Sequence, residues 1–266
     1  MRINYREEFK KKRRQAVKTR VAGIVLLASV GIAGLIYLLF FAKLFDVRAV
    51  EVISPSAIPS EEVHRVAVNI LERKWLTIAR KSNGIIFSPE KIRDELMRTI
   101  PRIKDVVIRR VSLHRIEITI TERQPVGLWC LVKKETCYYF DEGGTAFAKL
   151  LPVSGYLFIA INDSRDRSVE LGARVAPETW IKHILEVKRH LQFGGISISE
   201  IQIPDGSYEE FHIVTREGWK IFMSNDTDID RQITSMLQFI KQNFTTDQRR
   251  QLQYIDLRVD DRIYYK

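Results

Sequence analysis

The chain has 266 residues, with 43 Lys and Arg against 33 Asp and Glu, a formal charge of +10. A composition that is 45 % hydrophobic and 29 % charged excludes both a disordered chain and a polytopic membrane protein. Two cysteines exclude a disulfide-dense scaffold, and the length exceeds one ordinary domain.

The positive charge is concentrated at the start. Residues 1–20 hold nine basic residues (Arg2, Arg6, Lys10, Lys11, Lys12, Arg13, Arg14, Lys18, Arg20) against Glu7 and Glu8, while the rest of the chain carries 34 basic and 31 acidic residues. Nucleic-acid binding needs a basic face on folded structure, so no nucleic-acid partner is expected. A basic tail beside a membrane attracts anionic lipid and sets topology.

Val21 to Ala42 is a run of 22 uncharged, mostly apolar residues. As a helix at ~1.5 Å per residue it reaches about 33 Å, enough to cross a hydrocarbon core of about 30 Å. It has no polar face, which excludes a core helix of a small soluble domain. Nine basic residues precede it, and only Lys43 and Arg48 lie in the twenty residues after it. This bias predicts a cytoplasmic N-terminus and an extracytoplasmic 43–266, a type II single-pass protein of the plasma (inner) membrane. Gly31-Ile32-Ala33 offers a small-x-small cleavage site, but apolar sequence continues from Gly34 to Phe41, longer than a signal core, so an uncleaved anchor is expected. Ser29 and Ala33 have the spacing that seats a second helix.

Beyond the anchor, Phe45–Val52 alternates as a half-buried strand and Ser54-Pro55 breaks it. Ser60 caps a helix whose apolar face is Val63, Val66, Ala67 and Ile70. Lys81-Ser82-Asn83-Gly84 is a turn, and Ser88-Pro89 opens a second helix with Ile92, Leu96 and Ile100 buried. Val106 and Ile108 lead one strand. Ile116–Thr121 forms the next, with three isoleucines on one face. The order is β-α-α-β-β, with helices on one face of a three-stranded sheet.

After Pro125 strands dominate: Val126–Val132, Cys137–Phe140, Ala146–Leu150, Ile198–Ile203, Glu210–Thr215, Trp219–Met223 and Tyr254–Val259. Helices are predicted over Pro177–Leu191 and Asp228–Phe244, with turns at Asp141–Gly144 and Glu217-Gly218. The fold class is therefore α+β: an anchor helix, a β-α-α-β-β domain, then a mostly antiparallel β-rich domain with two flanking helices.

No catalytic constellation emerges. The five histidines (His64, His114, His183, His190, His212) are scattered and read as surface residues, and no partner stands at metal-ligand spacing. Gly194-Gly195 and Gly143-Gly144 lack the context of a dinucleotide or phosphate loop, and GxSxG, SxxK and HExxH do not occur. Asp226, Asp228 and Asp230 lack the Gly and Glu of a calcium loop, so Asp226 or Asp228 reads as a helix cap. No catalytic, cofactor-binding or metal site and no small-molecule substrate are expected. Cys130 and Cys137 bracket a turn centred on Lys133-Lys134 that sets them opposite each other. A disulfide and a pair of packed thiols both remain open, because cross-strand pairs at hydrogen-bonded positions favour neither the geometry nor the register of a bridge.

The layout resembles the FtsQ/DivIB family of bacterial cell-division proteins. Pro101-Arg102-Ile103-Lys104-Asp105-Val106 with Arg109, then Ile116–Ile120 and Glu122-Arg123-Gln124-Pro125-Val126-Gly127-Leu128-Trp129, are similar to the family's P-x-V … V-x-R … ERxPxAxW passage. Asp141-Glu142-Gly143 resembles its D-x-G turn, and Tyr254-Ile255-Asp256-Leu257-Arg258 its Y-V/I-D-L-R signature. Ser54-Pro55 stands where the family usually has a glycine turn. The resemblance implies a cytoplasmic tail at 1–20, a transmembrane helix at 21–42, a POTRA domain at 45–123 and the family's β domain at 124–266. It also implies a non-catalytic scaffold at the division septum. Its partners would be FtsB/DivIC-like and FtsL-like coiled-coil proteins and the septal synthase pair FtsW/FtsI.

In the family an arginine of the terminal motif, with a following aromatic residue, binds FtsB; here Arg258 is followed by Val259. The resemblance thus implies partner binding by Asp256, Leu257, Arg258, Val259 and Arg262. Read physically, Tyr254–Val259 as an edge strand offers unpaired backbone groups to an incoming strand, and Arg258 offers a charge to a partner carboxylate. The same residues also suit a strand end whose charges guard an edge against aggregation. Two other functions stay open at this level: a POTRA-containing secretion or outer-membrane-assembly subunit, and a membrane-anchored envelope enzyme or ligand-binding protein.

Overall fold

The computed structural model describes residues 5–41, 47–54, 58–72, 74–75, 79–80, 88–112, 114–150, 158–207 and 209–266. They divide into two compact units: Met1–Leu96 with Val106–Ile120, and Met97–Asp105 with Thr121–Lys266.

In the first unit, α1 (Tyr5–Phe41) is one helix of 37 residues. The basic tail and the apolar run share it, so the change expected at residue 21 is one of composition, not of conformation. Val17–Leu38 is apolar enough to cross a membrane, and none of it is buried by protein. Leu27 is 76 % exposed. Lipid would give such side chains an apolar environment, and the helix is long and apolar enough to cross a membrane.

Then follow β1 (Ala49–Ile53), α2 (Ser60–Glu72), the short strands β2 (Lys74–Trp75) and β3 (Ala79–Arg80), α3 (Pro89–Thr99), β4 (Ile103–Ser112) and β5 (Arg115–Glu122). The sheet order is β1-β5-β4, and β1 runs parallel to β5 with Val50 opposite Ile116. Val63, Ala67, Ile70 and Leu71 of α2 and Ile92 and Leu96 of α3 are buried, as are Ile116, Ile118 and Ile120 of β5. The 3.6 and 2.0 periodicities thus meet in one core. The pair β2–β3 is an addition to the expected order. The turn expected at Lys81–Gly84 lies outside the described residues.

The second unit is built on β6 (Gly127–Leu131), a 3-10 turn (Val132–Lys134), β7 (Thr136–Phe140), β8 (Ala146–Leu150), β9 (Ile159–Asp163), α4 (Glu178–Phe193), β10 (Ile198–Ile203), β11 (Glu210–Thr215), β12 (Lys220–Ser224), α5 (Ile229–Asn243), α6 (Thr246–Arg249), β13 (Tyr254–Asp256) and β14 (Tyr264–Tyr265). The strand order is β14-β13-β12-β11-β10-β9-β6-β7-β8. Most neighbours are antiparallel; β9 is parallel to both β6 and β10, and β13 is parallel to β12. Trp180, Ile184 and Val187 of α4 and Ile233 and Met236 of α5 share one core with Trp129, Phe140, Phe211, Ile221 and Ile255 of the sheet.

Three features differ from the sequence reading. Strand β9 was not anticipated and sits near the middle of the sheet. Helix α6 is a third helix, closed by a capping box between Thr245 and Gln248. Tyr254–Val259 is not a terminal edge strand. Its ladder ends at Asp256: Leu257, 1 % exposed, still donates its N–H to the Phe222 carbonyl at 2.9 Å, and the Arg258 N–H then turns back to Asp256 Oδ1 at 3.0 Å. The chain then reverses through Asp261, whose φ is 59°, and returns as β14 along the outer side of β13.

Candidate docking edge at the chain terminus

Register places one line of residues across all nine strands: Leu150, Cys137, Cys130, Asn162, Gln202, His212, Phe222, Asp256 and Tyr264. Ile213, Ile221 and Ile255 belong to the core under the helices, so their neighbours His212, Phe222 and Asp256 point to the opposite face.

On that face Arg258 ties three strands together. Its Nε and Nη2 donate to the two carboxylate oxygens of Asp256 at 3.0 and 2.7 Å, and its Nη1 donates to Glu210 Oε2 at 3.0 Å. Its backbone N–H also reaches Asp256 Oδ1 at 3.0 Å. The guanidinium lies 5.4 Å above the Phe222 ring, so it bridges from β13 over β12 to β11. Phe222 in turn stacks on Tyr254 at 5.3 Å and meets His212 at 4.5 Å.

These contacts set the local titration. The two-pronged hydrogen bond from Arg258 holds the Asp256 carboxyl below the usual carboxylate range, and the same bond holds Arg258 firmly protonated. Burial, and then the charge of Arg258, push His212 below its ordinary value. Its Nε2 is buried with no hydrogen-bond partner among the described residues. The neutral ring suits that position.

The residues of the terminal motif therefore do different jobs. Asp256 and Arg258 are brought together, and Leu257 is a core residue, 1 % exposed. Val259, 47 % exposed, lies in the turn. Arg262 Nη1 donates to Tyr264 Oη at 3.2 Å. Asp261 pairs with Arg231 of α5 at 2.7 Å, which holds the turn beside a cleft of about 300 Å³ lined by Gln232, Ser235 and Ile263. Sequence reasoning missed Glu210, Phe222 and His212, for which no local signal exists, and the edge itself. Ile263-Tyr264-Tyr265 was the available signal for that edge. Tyr265 closes a ring cluster with Phe239 and Phe244 at 5.3 and 5.6 Å, and its strand is one of the two outermost of the sheet, β8 being the other.

The other motifs are structural. Arg123 of the Glu-Arg-Gln-Pro stretch ion-pairs with Asp141 of the Asp-Glu-Gly turn and donates from Nε to the Pro101 carbonyl at 3.0 Å. Asp141 Oδ1 accepts from the backbone of Gly143 and Thr145, which closes the turn. Gly127 stands where the family pattern has alanine, and a Cβ there would lie 2.7 Å from the Phe140 ring. Cys130 and Cys137 lie opposite each other and are joined by a disulfide, with Leu128, Tyr139, Leu150 and Phe158 around it.

No curated protein matches the chain. Residues 45–123 match the family model of the FtsQ-type POTRA domain. A POTRA domain of that type, placed directly after an apolar N-terminal helix, covers under a third of the chain and supports an FtsQ/DivIB-type protein of bacterial cell division with one membrane-spanning helix.

Proposed function

We propose that the chain is a non-catalytic scaffold of the divisome, with its N-terminus in the cytoplasm and both folded units outside the membrane at the septum. Its partners are FtsB/DivIC-like and FtsL-like bitopic coiled-coil proteins, with the septal synthase pair FtsW/FtsI as further members of the assembly. The observation that carries this reading is the open end of the nine-stranded sheet at β14, backed by the ring cluster of Phe239, Phe244 and Tyr265. An incoming extended segment adds a tenth strand there by backbone hydrogen bonding. In this reading Arg258 shapes the edge from within, because Asp256 and Glu210 already engage it; a partner carboxylate meets its remaining donors.

Co-purification of an FtsB/DivIC-like protein tests this in detergent extracts. Deleting residues 264–266, or substituting Tyr265→Pro, is expected to abolish recovery while circular dichroism of the purified protein stays unchanged. Arg258→Glu is expected to reduce recovery as well. Undiminished recovery with the deletion and with Tyr265→Pro refutes β14 as the receiving edge.

A further inference from the structure

The β4–β5 hairpin of the first unit carries a charge pattern that the division reading leaves unused. From Val106 to Ile116 there are three arginines (Arg109, Arg110, Arg115) and His114, and no acidic residue. Arg109, Arg110 and Arg115 are exposed, and Val107 and Val111 are 42 % and 56 % exposed on the same strand. Arg110 curls back, Nε to the Ser112 carbonyl at 3.2 Å, which keeps its charge at the tip.

Backbone pairing fixes which end of the unit this is. The N–H groups of Arg48 and Ala49 both donate to the His114 carbonyl, at 2.8 and 3.0 Å, and Ala49 lies opposite Arg115. The hairpin tip is therefore at the start of β1, where the chain arrives from the membrane helix, and exposed Arg48 joins the cluster. Helix α1 runs to Phe41, and Val47 lies six residues further along the chain. Six peptide steps span at most about 20 Å, so Val47, next to the Arg48 that pairs with His114, lies within that reach of Phe41. Within β1 and β5 the nearest acids are the register pair Glu51 and Glu117, two residues (about 7 Å) further from the tip, and Asp46 precedes Arg48 by two positions in the sequence.

We propose that this arginine-rich tip is a membrane-contacting surface that rests on anionic phospholipid headgroups of the bilayer crossed by the chain's own helix. Arg48, Arg109, Arg110 and Arg115 supply the charge complementarity, and Val111 supplies an aliphatic contact at the headgroup boundary. Contact at this end restricts the tilt of the first unit about its tether.

The test places a benzophenone amino acid at Val111 in the full chain, reconstituted in vesicles of phosphatidylcholine with or without phosphatidylglycerol. Lipid adducts are read by mass spectrometry. An identical probe at Thr121, exposed and about 20 Å further along the hairpin, is the distal control. The expected result is adducts at Val111 in phosphatidylglycerol vesicles, falling about tenfold in neutral vesicles and in the Arg109→Gln/Arg110→Gln/Arg115→Gln variant, and fading at high salt. Equal yields in neutral and anionic vesicles, yields unmoved by the triple substitution, or yields no higher than at Thr121 overturn it. Adducts formed only with a co-reconstituted protein partner overturn it as well. Because no partner is present in the main arm, failure here leaves the docking edge at β14 standing.

Discussion

Asp163 has no exposed surface, and its side chain is surrounded by cationic groups. Arg165 grips both its oxygens at 2.8 Å, Trp129 Nε1 donates at 3.1 Å, and Arg167 stands 3.7 Å away. The two guanidinium groups lie over Trp180 and Trp129, so the carboxylate anchors the aromatic centre of the core. Asp163→Asn leaves two partly buried arginines without a counter-charge and is expected to cost about 3 kcal/mol in denaturant unfolding. His212 sits in the opposite situation, half-buried with its Nε2 enclosed, and its pKa is lowered from the ordinary value. Arg258 and Lys220 face it and disfavour the charged ring, while Glu210 and Asp256 partly offset them. Its folded value lies below the ordinary 6.5, so the unfolded chain takes up the proton first as pH falls. The contribution of His212 is fully present above pH 6.5 and is lost below it, as pH descends to the folded value. A melting temperature followed from pH 7.5 to pH 5 is expected to drop more steeply for the native chain than for His212→Leu. The role of these residues was illegible beforehand. Arg258 was visible in its motif, but Glu210 lies 48 positions away in sequence and only the sheet brings them together.

At the scale of elements, amphipathic pattern was a sufficient guide wherever one face meets a core and the other meets water. Strands β8, β10 and β11 fall where alternation places them, and α5 starts at Asp228, whose side chain accepts from the Arg231 N–H. Strand β9 escaped because Ile159, Ala160, Ile161 and Asp163 are buried together, so no alternation marks it; a strand with parallel neighbours on both sides has no wet face. Strand β14 escaped because two residues carry no period. The β6–β7 hairpin was legible in both strands, and the state of its cysteines was not. With a sequence separation of 7 between the bridged cysteines, the closed loop is short. Replacing both by serine is expected to lower stability by about 2 kcal/mol, measured as a fall in melting temperature that reducing agent reproduces in the native chain.

At the scale of the molecule, composition alone separated anchor from folded units. The asymmetry of charge across Val21–Ala42 predicts that alkaline phosphatase fused after Lys266 is active and β-galactosidase at the same site is not; the reverse pair of activities refutes the orientation proposed for both folded units. The strand order of the large sheet carries a further consequence. Strands β8, β7, β6 and β9 come from one stretch of sequence and β10 to β14 from the next, and the two groups meet only where β9 lies beside β10. A polypeptide threaded outward behind its anchor delivers the first group complete before any of the second emerges. On the orientation proposed above, vectorial export presents the pieces in the order in which they pair, and β14 emerges after every other described strand of this sheet.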